Sequence, residues 1–452
     1  MIGDRFVPPT HRWLALCLLA ASPAWAGGMF LPARGARALG RAGSFVAGAD
    51  DVSAFYYNPA GLADIARGSV LLDAGLVFQR VHYDRIDSGG VAQPGIDNDN
   101  ALLPIPLLGL SYRPQAFKER LTLAGGLFAP YTGIPRYSES GPQRYSLVSL
   151  DGTAGVVFEL AVGWRVTPNF FLGAGFQSMF FLVSNTTVLS SCSQVNCAPE
   201  DPNFDSPTQN KVTAPFVPSG NFGAIVAYPT WRLGLSVQLP YWVNATGTVH
   251  SRLPPDPQFD GAVIVGDRLD VSFTLPAAIR AGVELRPLPA LRVELGGDYE
   301  TWQMHDRINF TPVGVYLNHV AGIGRYDLRP MFIDRRFQGV WAVHVGGEYA
   351  LLPDRLTLRA GYLFESSAVP DETLSVFTPD GDKHLMTLGA SVRWRQLRFD
   401  LGYGHFFQGD RVVTNSQSLQ LNPIQPTLAV PVGNGRYAVA TDVLSIGFEG
   451  KF

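Results

Sequence analysis

The sequence predicts an all-β protein: a transmembrane, 14-stranded antiparallel β-barrel with an N-terminal hatch folded into its lumen. Three observations predict it. Charged residues are only 16% of the 452, against about 25% in an average soluble domain, while hydrophobic residues reach 46%. No run approaches the roughly 18 consecutive apolar residues of a membrane-spanning helix, so the apolar surface is spread along the chain. From about residue 67 onward, segments near the roughly 9–11 residues of a tilted membrane strand alternate apolar with small or polar residues and end in turns. A net charge of -3, from 35 Lys+Arg and 38 Asp+Glu, argues against a nucleic-acid partner.

The first element is a leader. Arg5, His11 and Arg12 precede an apolar run from Trp13 to Ala21, and Ser22-Pro23-Ala24-Trp25-Ala26 follows. A basic segment, a short apolar core and an Ala-x-Ala site make a secretory signal peptide over residues 1–26, with the mature chain starting at Gly27. Cys17 follows Leu16, where a lipid-anchor site wants a small residue. The exported chain then holds only Cys192 and Cys197, read as one local disulfide in a polar loop. No His or further Cys stands beside them, so no metal site is expected.

The barrel elements follow in order. Strands are read near 69–83, 102–112, 121–135, 152–166, 170–184, 219–228, 231–245, 269–285, 291–303, 339–350, 356–364, 384–395, 397–407 and 437–452. The pattern is plainest where Leu291, Val293, Leu295 and Tyr299 alternate with Arg292, Glu294, Gly296, Asp298 and Glu300. Successive side chains of a strand face opposite sides, so one face is apolar and the other charged. Aromatic residues gather at the ends of the apolar faces, where the girdles of a membrane barrel belong. Connections after even-numbered strands are short and those after odd-numbered strands are long and polar. That alternation puts both termini at the periplasmic side of an outer membrane in a Gram-negative cell. The chain closes on an alternating strand ending in Phe452, a signal for the barrel-assembly machinery, and the barrel is expected to stand as a monomer.

Between leader and barrel, residues 27–66 do not alternate. Small residues dominate, and Asn58-Pro59-Ala60-Gly61 is a turn that sends the chain into the first strand. Gly40-Arg41-Ala42, then Ala49-Asp50-Asp51, then Asn58-Pro59-Ala60 resembles the hatch of the FadL/TodX family of outer-membrane transporters. The strand beginning at Leu121 and the segment from Thr274 to Glu284 are similar to characteristic strands of that family. The resemblance spans the whole mature chain, giving residues 1–26 as leader, 27–66 as hatch and 67–452 as barrel.

The resemblance implies passive transport of long-chain fatty acids or similar hydrophobic compounds. Ligand would be captured by outer loops, held in a lumenal pocket, and released sideways into membrane lipid through a gap in a kinked third strand. Gly125, Gly126, Pro130, Gly133 and Pro135 fall in that strand, where proline lacks a ladder donor and glycine weakens pairing. Asp50 and Asp51 read as hatch carboxylates facing lumenal arginines. Arg280, Arg292, Arg359, Arg393 and Arg398 lie on charged faces, where most should pair with Glu284, Glu294, Asp298, Glu348 and Asp400, leaving one for a ligand carboxylate. No Gly-x-Ser-x-Gly and no His or Cys spacing suggests an enzyme or a cofactor. The competing reading is a water-filled diffusion porin for small solutes, which has no need of a hatch of this length.

Overall fold

The computed structural model describes residues 30–99, 102–117, 119–130, 135–192 and 197–452. The leader and Gly133 lie outside the described residues. Alternation dictates the architecture. Fourteen wall strands each pair with the next, and the last pairs with the first, which closes the barrel. They are β1 (Ser69–Arg85), β2 (Leu103–Tyr112), β3 (Leu121–Phe128), β4 (Ala154–Thr167), β5 (Phe170–Ser190) and β6 (Asp205–Ala227). Next come β7 (Trp231–Gln238 and Tyr241–Ser251), β8 (Arg268–Leu275 and Ala278–Leu288), β9 (Leu291–Glu300 and Arg307–Pro312) and β10 (Met331–Asp334 and Val340–Leu352). The wall ends with β11 (Leu356–Glu365), β12 (Lys383–Trp394), β13 (Leu397–Gln408) and β14 (Gly435–Lys451). Closure runs from Ser69↔Lys451 to Arg85↔Gly435.

Side-chain direction follows the pleat. Along β13, Arg398, Asp400, Gly402 and Gly404 are buried inside, and Phe399, Leu401 and Tyr403 are exposed outside. Closure pairs the first strand with the last along its whole length, as a strand wall in lipid requires. The two barrel ends differ as the connections foretell. The first wall strand begins and the last one ends on the short-turn side, where Phe452 N–H donates to the Gly68 carbonyl at 2.8 Å. Strands β5 and β6 extend past the opposite, long-loop end of the sequence expectation, pairing as far as Ser190↔Asp205. A small three-stranded sheet (263–265, 316–320 and 324–327) stands among the long loops.

The third strand corrects the expectation of a span over 121–135. Its pairing stops at Phe128, opposite Leu107 on β2 and Val157 on β4. Gly125 and Gly126 do not break it; both are in regular register with Leu110 and Gly109 on one side and Leu160 and Glu159 on the other. Gly126 is needed for space: a Cβ there would lie 2.5 Å from the Phe55 ring of the hatch, and one on Gly109 2.8 Å from the same ring. The departure from the wall comes at Ala129-Pro130 instead.

Residues 30–65 fill the lumen as a compact plug with two short helices, α1 (Ala36–Leu39) and α2 (Ala54–Tyr57), and a 3-10 turn at Pro59–Asp64. The plug seats against glycines of the wall. A Cβ on Gly173 would lie 2.1 Å from the Pro59 carbonyl carbon, and one on Gly223 2.0 Å from Asn58 Oδ1. Asn58 ties three pieces together. Its Oδ1 accepts from Ala60 N–H at 3.2 Å, and its Nδ2 donates to the carbonyls of Val46 at 3.0 Å and Ala224 at 3.3 Å.

Candidate ligand pathway and hatch

The lower lumen, toward the short turns, is a seam of charge between hatch and wall. Arg37 on α1 reaches Asp50 at 2.6 Å, Asp51 at 3.0 Å and Glu348 of β10 at 3.0 Å. Arg292 of β9 meets Asp50 at 2.7 Å and Glu284 at 2.9 Å, and Arg398 of β13 meets Asp51 at 2.9 Å. Burial alone favours the neutral carboxylic acid, but the cations outweigh it. Arg292 and Arg37 hold Asp50 well below its usual range, and Arg37 and Arg398 hold Asp51 down to about 2. Glu294 does a different task. It accepts backbone N–H bonds from Val46 at 2.7 Å, Ala47 at 3.0 Å and Gly48 at 2.8 Å, and lies 3.4 Å from Arg41. Fully buried Arg41 also meets Glu284 at 3.2 Å. Three converging amides and a guanidinium make Glu294 the anchor of the hatch loop.

Where β3 stops, the hatch completes the wall. Breaking a ladder inside a membrane leaves carbonyls that need donors. Arg34 supplies them: its Nε donates to Ala129 O at 3.0 Å, and its Nη2 donates to Pro130 O. The guanidinium stacks 4.8 Å over the Tyr56 ring, and the Tyr57 hydroxyl donates to Arg34 O at 2.7 Å. Phe128 packs edge-on to Tyr56 with ring centroids 4.9 Å apart. Beside this break, Phe30, Leu31, Pro135, Leu150 and Phe377 line a cavity of about 80 Å³.

The upper lumen is apolar. A cavity of about 220 Å³ is walled by Phe181, Val183, Val271, Phe273, Ile308 and Phe310. A smaller one of about 70 Å³ shares Asn185, Phe310, Ile333 and Leu421 with it and continues among the loops to Leu317 and Ile424. Two buried basic side chains stand in the larger cavity's lining, along with Asp334, which pairs with Arg336 at 3.1 Å. Arg335 is 2% exposed and sits 4.7 and 4.8 Å over the rings of Phe337 and Phe377. Its Nη2 donates to Thr378 Oγ1 at 3.0 Å, its Nε has no hydrogen-bond partner, and among the described residues no carboxylate pairs with it. Burial pushes the guanidinium down to about 9, which leaves it cationic at neutral pH. His305 is pushed down to about 3 by burial and by Arg335, so its ring is neutral. Its Nδ1 lies 2.8 Å from Thr274 O, which fixes the proton there and leaves the buried Nε2 as an unpaired acceptor.

The plugged fourteen-strand barrel is similar to known proteins. The family model described as "Outer membrane protein transport protein (OMPP1/FadL/TodX)" matches residues 17–447. The chain belongs to this family. Solved structures agree on the fold. A Pseudomonas aeruginosa FadL homologue superposes with a TM-score of 0.76 at 18% identity, over 94% of this chain and all of that one. The toluene transporter TbuX of Ralstonia pickettii gives 0.63 at 16% identity, over 93% and 99% of the two chains. The P. putida toluene transporter TodX gives 0.62 at 15% identity, with the same coverage. No match is found among the curated proteins. As a FadL/TodX-family member the chain is an outer-membrane β-barrel that transports hydrophobic compounds.

In this FadL/TodX-family barrel the residues singled out from sequence separate into groups. Asp50, Asp51, Arg292, Arg359 and Arg398 come together in the charged seam, where Arg359 meets Glu348 at 3.0 Å and Asp400 at 3.5 Å. Arg280 is buried 5.2 Å over the Tyr56 ring, with Nη1 unpaired. Arg393 is set apart: it is partly exposed near the short-turn end, 3.7 Å from Asp354. Cys192 and Cys197 are joined in a disulfide at a Cα–Cα distance of 5.8 Å, and Asn422 Nδ2 donates to Cys192 O at 2.9 Å. None of the five arginines lines the large apolar cavity. Arg335 and His305 do, and sequence reasoning passed over both. They lie in irregular loop segments without alternation, so nothing in the pattern marks them as lumenal. Arg34 and Arg41, in the hatch itself, were likewise not singled out as anchors.

Proposed function

We propose that the protein carries acidic amphiphiles of the long-chain fatty-acid type inward across the outer membrane, with the short-turn end and both termini in the periplasm. The observation that carries this reading is Arg335, a buried cation without a carboxylate partner at an apolar cavity. A pure hydrocarbon leaves such a cation unpaired; a carboxylate gives it a charge-assisted bond of about 1.5–3 kcal/mol. The acyl tail lies against Phe181, Phe273 and Phe310, and the loop-side cavity ending at Ile424 is the inlet. Hatch displacement withdraws Arg34 from Ala129 and Pro130, and ligand leaves sideways into lipid beside Phe128. A water-filled porin is disfavoured because the hatch and its ion pairs occupy the lumen. Exposed Phe452 ends β14 at the periplasmic rim, where assembly machinery would read it, and the monomer is the expected functional unit.

Extraction of the purified protein and mass spectrometry of the co-purifying lipid test the reading. Long-chain carboxylic acids are expected in the wild type and are lost in Arg335→Met. Neutral hydrocarbon in both, or acids retained in Arg335→Met, overturns the acidic class.

A further inference from the structure

The wall is interrupted a second time, between β6 and β7. Their ladder runs through Thr213↔Thr246 on the loop side and Asn221↔Gln238 on the turn side. Between those pairs residues 214–220 and 239–245 form no register pairs with each other, one backbone bond from Leu239 N–H to the Gly220 carbonyl at 2.9 Å marking the turn-side end. There β6 stays paired to β5 around a register shift at residues 215–216, and β7 to β8 from Tyr241 onward. The interruption spans roughly 25 Å of strand at about 3.3 Å per residue. Prolines stand on both sides of it, Pro215 and Pro218 on β6 and Pro240 on β7, each removing a backbone donor that would otherwise be left unpaired.

The facing strands are also out of phase. Paired residues of a ladder share a face, but Phe216 is 60% exposed where Val243 across the break is 1%, and Trp242 is 58% exposed where Val217 is 2%. No simple closure of the ladder restores pairing without burying an aromatic or exposing a valine. A side-chain latch holds the turn-side end. Gln238 Nε2 lies 3.0 Å from Leu239 O, 3.2 Å from Ser219 Oγ and 2.7 Å from Gln177 Oε1, and Gln177 Nε2 donates to Glu159 at 2.8 Å. The Tyr241 hydroxyl donates to Gln177 Oε1 at 2.5 Å.

Behind the interruption the interior is apolar. Ala214, Val217, Tyr241 and Val243 belong to one buried cluster with Phe55, Phe128 and Val271. One cross-strand row, Phe128↔Val157↔Met179↔Val217, connects the end of β3 to the middle of this second interruption, and all four side chains are buried. We propose that the β6–β7 interruption is a second membrane-facing aperture, through which apolar molecules dissolved in the bilayer exchange with the lumenal cavity along that row. The inference does not rest on the acidic head group or on the exit at the third strand. It adds a bilayer inlet to a path otherwise entered from the loops.

The test uses the full mature protein in liposomes loaded with 3-(trifluoromethyl)-3-phenyldiazirine, an apolar photoreactive probe that partitions into bilayers. Peptide mass spectrometry reads label on lumen-facing Met179 and Val243. One variant, Pro215→Cys with Asn244→Cys, is bridged across β6–β7 by a short bis-thiol reagent; a second, Ala129→Cys with Val156→Cys, is bridged at the third strand. Heat-modifiable gel migration verifies folding of both. Label on Met179 and Val243 is expected in the unbridged protein and in the third-strand variant, and is lost in the β6–β7 variant. Label that persists with β6–β7 bridged overturns the aperture, as does its loss only on bridging the third strand, a result that leaves the proposed function intact. Absence of lumenal label from the unbridged protein also overturns it. Delivery of the same probe from the loop side then reports separately whether the cavity takes apolar ligand at all.

Discussion

Glu294→Gln is the sharpest test of how the hatch is held. The substitution keeps shape and volume but removes charge from a carboxylate that is fully buried. In the wild type Oε1 accepts from Val46 and Ala47 and Oε2 accepts from Gly48 and faces Arg41. The glutamine keeps one carbonyl oxygen, so the Val46 and Ala47 bonds survive in neutral form. Its NH2 group then meets the Gly48 N–H, and Arg41 loses one of its two nearest carboxylates. Removing one partner of a buried charge pair costs about 3–5 kcal/mol, and a lost charge-assisted hydrogen bond about 1.5–3. Glu284 remains 3.2 Å from Arg41, so the lower end applies, about 3 kcal/mol. At about 1.4 kcal/mol per decade, the undocked hatch becomes about a hundredfold more populated. Hydrogen exchange at the amides of Val46, Ala47 and Gly48 should accelerate by that factor, with more frequent channel openings in planar bilayers. Unchanged exchange at all three amides in a folded Glu294→Gln barrel refutes the anchoring role.

Three further outcomes are expected. The folded pKa of Asp51, about 2, lies below the unfolded value near 3.9, so its contribution of roughly 2.5 kcal/mol is complete above about pH 5 and is lost as pH falls through about 2. Asp50 is shifted the same way, so conductance that is near zero at pH 7 should rise steeply below about pH 4, and a pH-independent trace would count against the ion-pair seam. Gly126→Leu drives a side chain into the Phe55 ring and the Leu108 carbonyl, each within 2.6 Å of the new Cβ, and should destabilise the docked hatch by about 1–3 kcal/mol. Limited proteolysis of the hatch measures that, and unchanged protection means Phe55 has room to move. Deleting residues 27–49 should open a steady conductance, whereas a silent pore would remove the hatch from gating.

The wall was legible because a strand in a closed barrel must repeat every second residue, and β9, β11, β12 and β13 alternate charged and apolar faces over their short-turn halves, with Ile308, Leu363, Leu385 and Phe406 turning inward only toward the long-loop end. Legibility fails where a second requirement overrides the pleat. Gly125 and Gly126 look like a kink from sequence, but the hatch ring of Phe55 needs Gly126 for space, and the strand continues through both in register. The extents of β5 and β6 were underread because their outer halves, such as Asn185 to Ser190, are buried by loops on both faces and lose their alternation. Asp50 and Asp51 were readable as adjacent carboxylates opposite arginine-bearing strands, and in the structure they meet Arg37, Arg292 and Arg398. Arg335 was invisible for the opposite reason: its significance is that no carboxylate among the described residues pairs with it, a property of the folded loops that no local pattern encodes.

The division of the lumen argues for a sideways route. The proposed acyl cargo would lose about 0.8 kcal/mol for each CH2 returned to water, so exit through the short-turn mouth opposes release by roughly 10 kcal/mol or more. That path also crosses the seam where Arg37, Arg292 and Arg398 bind Asp50 and Asp51, and breaking buried pairs costs about 3–5 kcal/mol each. The side path asks for less. Among the described residues, the Arg34 bonds to two neutral carbonyls, its stacking on Tyr56 and the Phe128–Tyr56 ring contact stand at the break after Phe128, with no ion pair. If so, the two seals are separable. Arg34→Gln, which cannot reach both carbonyls, should speed exchange of a bilayer-dissolved fluorescent fatty acid with the lumen while ionic conductance stays closed. Glu294→Gln should do the reverse, admitting ions with little change in lipid exchange. Parallel changes in both assays for both variants would mean that the hatch moves as one rigid body, and that the side opening is not independently gated.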